Sequence, residues 1–208
     1  LYPWQGNFLY FDSSDNIYIA DTENCRIQKF SRSTNDHIIT TSTSTTTSVL
    51  PEGGYAFVTK WGFKGSGPGQ FNGPAGIAVD SSDYIYVADS ENNRIQKFDS
   101  NGTFMMQLDN EGWLSSPSDV AIDSLGNIYV TLFWASGVMK LDSTGKEINQ
   151  WGANPHELEY PTCIAIDSLD NVYAAELTYC TVKKYDANGS FITQWGRLGV
   201  LPGQFLLP

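Results

Sequence analysis

Positive charge is scarce in this chain. Twelve Lys and Arg stand against 23 Asp and Glu in 208 residues, a formal net charge of −11. The 12 bases are spread along the whole length rather than gathered. Phosphate binding needs a basic footprint, so no nucleic-acid partner is expected. Long apolar runs are also missing. The longest candidate, Val130 to Met139, is interrupted by Ser136 and Gly137. A membrane-spanning helix needs roughly 18–20 apolar residues, so none is expected. No signal-peptide pattern is visible, and the chain starts at Leu1 rather than Met, as a processed or excised chain would. Histidine occurs only at positions 37 and 156, neither at a repeated position, which leaves little for acid–base or metal chemistry. No cofactor is expected. The three cysteines, Cys25, Cys163 and Cys180, are an odd count and fall in separated places. They are read as unpaired thiols and do not fix the redox compartment.

Turn-formers and short apolar runs are plentiful. From Gly73 to Leu108 the sequence holds four such runs: Ile77 to Val79, Tyr84 to Val87, Arg94 to Phe98 and Thr103 to Leu108. Ser-Ser-Asp, Ser-Glu-Asn-Asn and Asp-Ser-Asn-Gly separate them. β-Branched and aromatic residues in runs this short, bounded by turn residues, predict a four-stranded antiparallel meander. The unit recurs, with Asp80, Asp123 and Asp167 at steps of 43 and 44 residues. The step from Asp12 to Asp80 is 68 residues, so the first unit carries an insertion of about 25 residues. A four-strand unit at this period signals an all-β propeller built from four-stranded antiparallel blades.

The chain resembles the NHL-repeat propellers. Their GIAVD strand, turn, IYVAD strand, Asn-Arg-Ile strand and final strand after Asn-Gly stand almost intact from Gly76 to Leu108. The resemblance implies a single propeller over residues 1–208, with blades at about 6–61, 74–108, 117–151 and 161–195. Relatives usually close with six blades. Four blades would be a small closed ring or an open arc with two free edges. The tail RLGVLPGQFLLP matches the lead-in FKGSGPGQFNGP of residues 63–74, so a larger or self-associating propeller, joined through its terminal blades, is expected. Residues 31–55 are the insertion, and its Ser/Thr-rich centre reads as a mobile loop. It is either a tolerated insertion or an O-glycosylated or partner-binding loop.

Columns across the units suggest what holds blade to blade. Tyr18, Tyr86, Tyr129 and Tyr173 share one position, and Trp61, Leu108, Trp151 and Trp195 another. Large side chains recurring in every unit predict core. Asp21 with Arg26 and Asp89 with Arg94 read as structural ion pairs. Unit three loses both partners together, to Leu132 and Gly137, while unit four keeps Glu176 but has Thr181 for Arg. The acidic first turns, such as Asp80 and Asp83, either cap turns or contribute to a calcium site. Asn101 and Asn188 begin N-glycosylation sequons that double as Asn-Gly hairpin turns.

The departures from the repeat carry the functional reading. Polar Ser90-Glu-Asn-Asn becomes Phe133-Trp134-Ala-Ser in unit three and Leu177-Thr-Tyr179-Cys in unit four. Rings where the repeat asks for a polar turn are either a binding patch or packing against neighbouring blades. The reading is a non-catalytic scaffold for protein or carbohydrate, or an extracellular structural module, with Phe133, Trp134, Leu177 and Tyr179 as the binding residues. The alternative is a propeller enzyme of hydrolase or lyase type with a metal in its central channel. An extracellular or cell-surface location is expected.

Overall fold

A computed structural model describes residues 9–32, 54–109, 112–154 and 156–208. It contains four four-stranded antiparallel sheets, each a meander in chain order. The first holds β1 (Leu9–Phe11), β2 (Ile17–Asp21), β3 (Arg26–Arg32) and β4 (Tyr55–Trp61). The second holds β5 (Pro74–Val79), β6 (Ile85–Asp89), β7 (Arg94–Phe98) and β8 (Phe104–Leu108). The third holds β9 (Pro117–Ile122), β10 (Ile128–Leu132), β11 (Val138–Leu141) and β12 (Glu147–Trp151). The fourth holds β13 (Pro161–Ile166), β14 (Val172–Glu176), β15 (Thr181–Tyr185) and β16 (Phe191–Trp195). The insertion lies between Arg32 and Tyr55, and most of it, with His37, falls outside the described residues. Among the described residues no helix is long and apolar enough to cross a membrane.

The first strands lie innermost, with β5 against β9 and β9 against β13. Three cores sit between successive sheets. Tyr18, Ala20 and Ile27 of the first blade meet Ile77, Ile85 and Phe98 of the second. Tyr86, Ile95 and Leu108 meet Val120, Ile128 and Met139. Tyr129 and Val138 meet Ile164, Val172 and Tyr185. Each blade is therefore buried by its neighbours rather than by itself. The two outer faces of the arc are open. Leu9, Phe11 and Phe57 are exposed on the first blade, and Trp195, 43% exposed, on the fourth.

The acidic first turns are explained by hydrogen bonding within each unit. Asp12 Oδ1 accepts the backbone N–H groups of Ser14 and Asn16 at 2.9 Å each, and its Oδ2 accepts the Tyr18 hydroxyl at 3.0 Å. Tyr86, Tyr129 and Tyr173 donate in the same way to Asp80, Asp123 and Asp167. The second acid of the turn sits in the left-handed region, as at Asp15, Asp83 and Asp170, where Asp is tolerated. Asp170 also ties to the previous blade, accepting from the Ser124 N–H at 3.0 Å and its hydroxyl at 2.7 Å. Both acids thus serve the fold.

The Asn-Gly hairpins have a packing reason as well as a turn reason. Gly102, at φ +85°, lies under the Trp61 ring, and a Cβ there would fall 2.5 Å from Trp61 Cδ2. Gly189 lies under Trp151 with the same φ and the same clearance. The large residue ending one blade is seated on the hairpin glycine of the next.

Two stability predictions follow from this packing. Gly102→Ala is expected to cost roughly 2–4 kcal/mol, since it adds a clash to backbone strain. Gly126→Ala, at φ +81° with nothing within 4 Å, is expected to cost about 1 kcal/mol. Equal urea midpoints for the two variants would show that the Trp61 contact does not constrain the turn. Arg94→Ala is likewise expected to lose roughly 3–5 kcal/mol, because it strands a fully buried Asp89. Lys97→Ala, whose Nζ reaches the Tyr86 hydroxyl at 2.6 Å, is expected to lose about 1 kcal/mol in the same titration.

Candidate binding face on the third and fourth blades

In the first two blades the loop after the second strand is a short 3-10 turn, Thr22–Asn24 and Ser90–Asn92. Its hydroxyl latches the next blade: Thr22 Oγ1 donates to the Pro74 carbonyl at 2.8 Å, and Ser90 Oγ to that of Pro117 at 2.5 Å. Phe133 and Leu177 occupy this position in the third and fourth blades and cannot donate. The latch is kept from another place. Ser118 Oγ donates to the Pro161 carbonyl and Thr162 Oγ1 to that of Pro208, each at 2.7 Å. Moving the hydroxyl onto the first strand releases the two loops from the fold's own requirement.

The released loops carry rings, but not as one patch. Phe133 is only 3% exposed and serves as the floor, a correction to its expected place on the surface. A ring directly above the blade seam is covered by the rings that follow it. Trp134 stands edge-on to it at 5.1 Å and is 58% exposed. Tyr160, from the connection between the blades, packs on Phe133 at 5.1 Å and on Trp134 at 5.9 Å. Leu177 is half-buried, and its N–H donates to the Tyr160 carbonyl at 3.3 Å. Tyr179, 40% exposed, turns to His156 instead: its hydroxyl shares a 2.5 Å hydrogen bond with His156 Nδ1. The Glu159 carboxylate lies 3.3 Å from the same nitrogen. Burial, then the charges of Glu159 and Glu176, raise the Tyr179 phenol. His156, at no repeated position, thus has two partners, Tyr179 and Glu159.

Beneath these loops each blade has one slot, part-exposed in the first blade and buried in the others, filled in three ways. In the second blade Arg94 Nε meets Asp89 at 2.8 Å, and Gln96 donates to the same carboxylate at 3.0 Å. Asp89 is pushed up by burial, against hydrogen bonds from Asn72, Asn92 and Arg94 and the Arg94 charge, which pull it down. In the first blade Arg26 meets Asp21 at 2.6 Å and Gln28 donates at 2.9 Å. The third blade makes the slot apolar, with Leu132 and Met139 fully buried. The fourth keeps the acid, Glu176, but has Thr181 at the arginine position, so its cation comes from another residue. Lys183, two residues beyond the usual arginine position, supplies it 3.2 Å from Glu176, while Thr181 donates to Glu176 at 2.6 Å. Lys183 also donates to the Glu157 carbonyl, pinning the connection that carries His156.

A second polar feature faces the channel. Asp119 replaces the glycine of the repeat's first strand and is 9% exposed. Its oxygens accept the N–H groups of Val120 and Ile164, 2.9 Å each, stapling β9 to β13. Its surroundings are apolar: Leu9, Ile77, Val120 and Ile164 line the same cavity of about 250 Å³. Burial raises its carboxyl to about 7. Burial and the Asp119 charge also raise the nearby Cys163 thiol. All three cysteines are free. Among the described residues no three His, Cys, Asp or Glu side chains converge as metal ligands. Asn101 and Asn188 sit exposed in hairpin turns capped by Asp99 and Asp186.

The comparisons with known proteins meet this geometry at the repeat. The NHL repeat family model matches residues 7–30 and 71–98, the two blades that keep the polar turn and the Asp–Arg pair. The chain carries NHL repeats. Human NHL repeat-containing protein 3 is 33% identical over 95 residues, 45% of this chain and 24% of that protein. Protein brain tumor of Drosophila melanogaster is 47% identical over 49 residues, 24% of this chain and 5% of that protein. The NHL segment here thus spans a quarter or less of these relatives. Among solved structures, a streptogramin B lyase superposes with a TM-score of 0.65 at 16% identity, covering 90% of this chain and 53% of that one. A catalytically inactive virginiamycin B lyase from Staphylococcus aureus with quinupristin gives 0.65 at 14% identity, covering 99% and 58%. Likeness at that identity establishes the propeller fold of the NHL blades and nothing of their chemistry.

Asp119 gives a pH prediction with a definite sign. Its folded value of about 7 lies above the roughly 3.9 of an unfolded aspartate. The folded state holds an extra proton between those values, so stability falls as pH rises through the window and levels off above it. Parent protein is expected to lose roughly 2–3 kcal/mol between about pH 5 and pH 8 through this group. Asp119→Asn should remove that part of the slope. Parallel pH profiles for parent and variant in urea unfolding would show that Asp119 ionises normally.

Proposed function

We propose that this chain is a non-catalytic NHL-type scaffold that takes a protein partner on the loop face of its third and fourth blades. The observation that carries the reading is Trp134, a tryptophan 58% exposed at a position where the first two blades carry glutamate. An exposed tryptophan seated on two further rings, Phe133 and Tyr160, is held in place before any partner arrives, as a contact hot spot requires. Relocation of the latch hydroxyl supports it, since the fold itself no longer determines these loops. The NHL relatives fit a scaffold role, and the exposed sequons at Asn101 and Asn188 fit a secreted or surface-displayed protein. Trp134 is the anchor in this reading, with Tyr160 and Tyr179 at its rim and Phe133 and Leu177 as support.

The test is a Trp134→Ala, Tyr179→Ala double variant in affinity capture from the native source. Loss of at least one partner held by the parent, with unchanged circular dichroism, is the expected outcome. A folded variant that keeps every partner of the parent places the binding site elsewhere.

A further inference from the structure

The connections between blades differ in length, and the difference leaves a space in the fourth blade. Twelve residues join Trp61 to Pro74, whereas nine join Trp151 to Pro161. In the second blade the longer connection folds into its slot as a turn that presents carbonyl groups. Arg94 donates to the carbonyls of Ser66 at 2.8 Å and of Gly67 and Gln70 at 2.9 Å. Gln96 donates to the Gln70 carbonyl at 2.7 Å and accepts the Gly69 N–H at 2.9 Å. Gln107 completes the frame, accepting from Arg94 at 2.9 Å.

The fourth blade keeps the polar frame, and its shorter connection makes a smaller turn, with the Glu157 N–H on the Asn154 carbonyl at 3.1 Å. Thr181 replaces Arg94, Lys183 replaces Gln96 and Gln194 stands at the position of Gln107. Among the described residues the shorter connection gives the Glu157 carbonyl to Lys183 and the Glu159 N–H to Glu176, the latter at 2.9 Å. Two adjoining cavities, of about 460 and 370 Å³, share His156, Lys183 and Gln194 as lining. Trp151, Tyr185 and Phe191 wall the larger one, and Tyr179 the smaller. The volumes suit a ligand-sized group, and the lining combines aromatic walls with a few convergent polar groups. The third blade, whose connection is also short, has no such polar frame, because Leu132 and Met139 make its slot apolar.

We propose that this cavity receives a short glycine-containing turn of a partner protein, whose backbone carbonyls and N–H groups take the places that residues 65–70 take in the second blade. The inference rests on the protein-binding reading and names the partner's chemistry. Lys183 carries three donors and uses two, on Glu176 and Glu157. Gln194 offers an amide donor and an acceptor at the cavity wall. His156, 78% exposed in its side chain, presents its second ring nitrogen at the rim. Backbone groups are matched in this frame rather than a particular side chain, as in other recognition modes that reuse main-chain pairing.

The chain provides its own probe: a capped synthetic peptide of residues 64–70, Lys-Gly-Ser-Gly-Pro-Gly-Gln, added to the full chain and followed by two-dimensional amide NMR. Saturable shifts centred on His156, Glu157, Lys183 and Gln194, with a Kd below about 1 mM, are expected. Gln194→Ala should weaken binding about tenfold. Replacing residues 152–160 with the twelve-residue connection 62–73 should fill the cavity and abolish the shifts while leaving the rest of the spectrum dispersed. No saturable shift, shifts elsewhere, or binding that survives the longer connection would overturn the proposal. So would shifts of the same resonances by N-acetylglucosamine without any by the peptide. A partner still captured through Trp134 in that case would leave the scaffold reading standing.

Discussion

A short four-stranded sheet has two faces and can bury neither alone, and the rest of this structure answers to that constraint. Each blade lends one apolar face to the blade before it and one to the blade after. Seating Trp61 on Gly102 and Trp151 on Gly189 shows how local the requirement becomes. The turn that closes one blade is also the floor under the ring that ends another. Sequence choices that look like turn chemistry alone are therefore packing choices as well. Interfaces of this kind make stability a sum over neighbours. The outer faces of the first and fourth blades, with Leu9, Phe11 and Trp195, lack that contribution.

The slot beneath each loop shows how much chemistry the architecture tolerates. Asp–Arg–Gln, Leu–Gly–Met and Glu–Thr–Lys occupy equivalent positions in different blades. Removing a buried charge together with its partner is allowed, whereas removing one alone is not. The latch hydroxyl behaves similarly. It moves from Thr22 and Ser90 to Ser118 and Thr162, and the carbonyl it serves is that of Pro74, Pro117 or Pro161, which open the next blades, or of Pro208. A repeat protein can thus free particular loops without weakening the seam, and the rings of Trp134, Tyr160 and Tyr179 occupy the freed loops.

The fold was legible because its signals are local and repeated. Period, turn residues and aromatic columns each point to the same blade, and the strands lie within three residues of the runs that announce them. The site was less legible. Phe133 reads as an exposed ring from its polar counterparts, since sequence does not show that Trp134 and Tyr160 will cover it. Tyr160 and His156 lie in a connection with no repeat register, so nothing along the chain pairs them with Phe133 and Tyr179. Lys183 is not marked as the cation because it stands two residues past the arginine position, although its counterparts Gln28 and Gln96 are polar in both reference blades. Asp119 had a visible signal, an acid where the strand pattern has Gly76. Its burial follows from β13 packing across it, which only the assembled blades supply.

Native-state amide hydrogen exchange tests most directly whether neighbours hold each blade. Blades two and three have a partner on both sides, blade four on one. The account predicts that amides of β6 and β10 exchange only through global unfolding, while those of β14 and β15 exchange at least tenfold faster, with intermediate denaturant dependence. Equal protection in β10 and β14 would contradict it, because the blades would then be stable without the seams that define them.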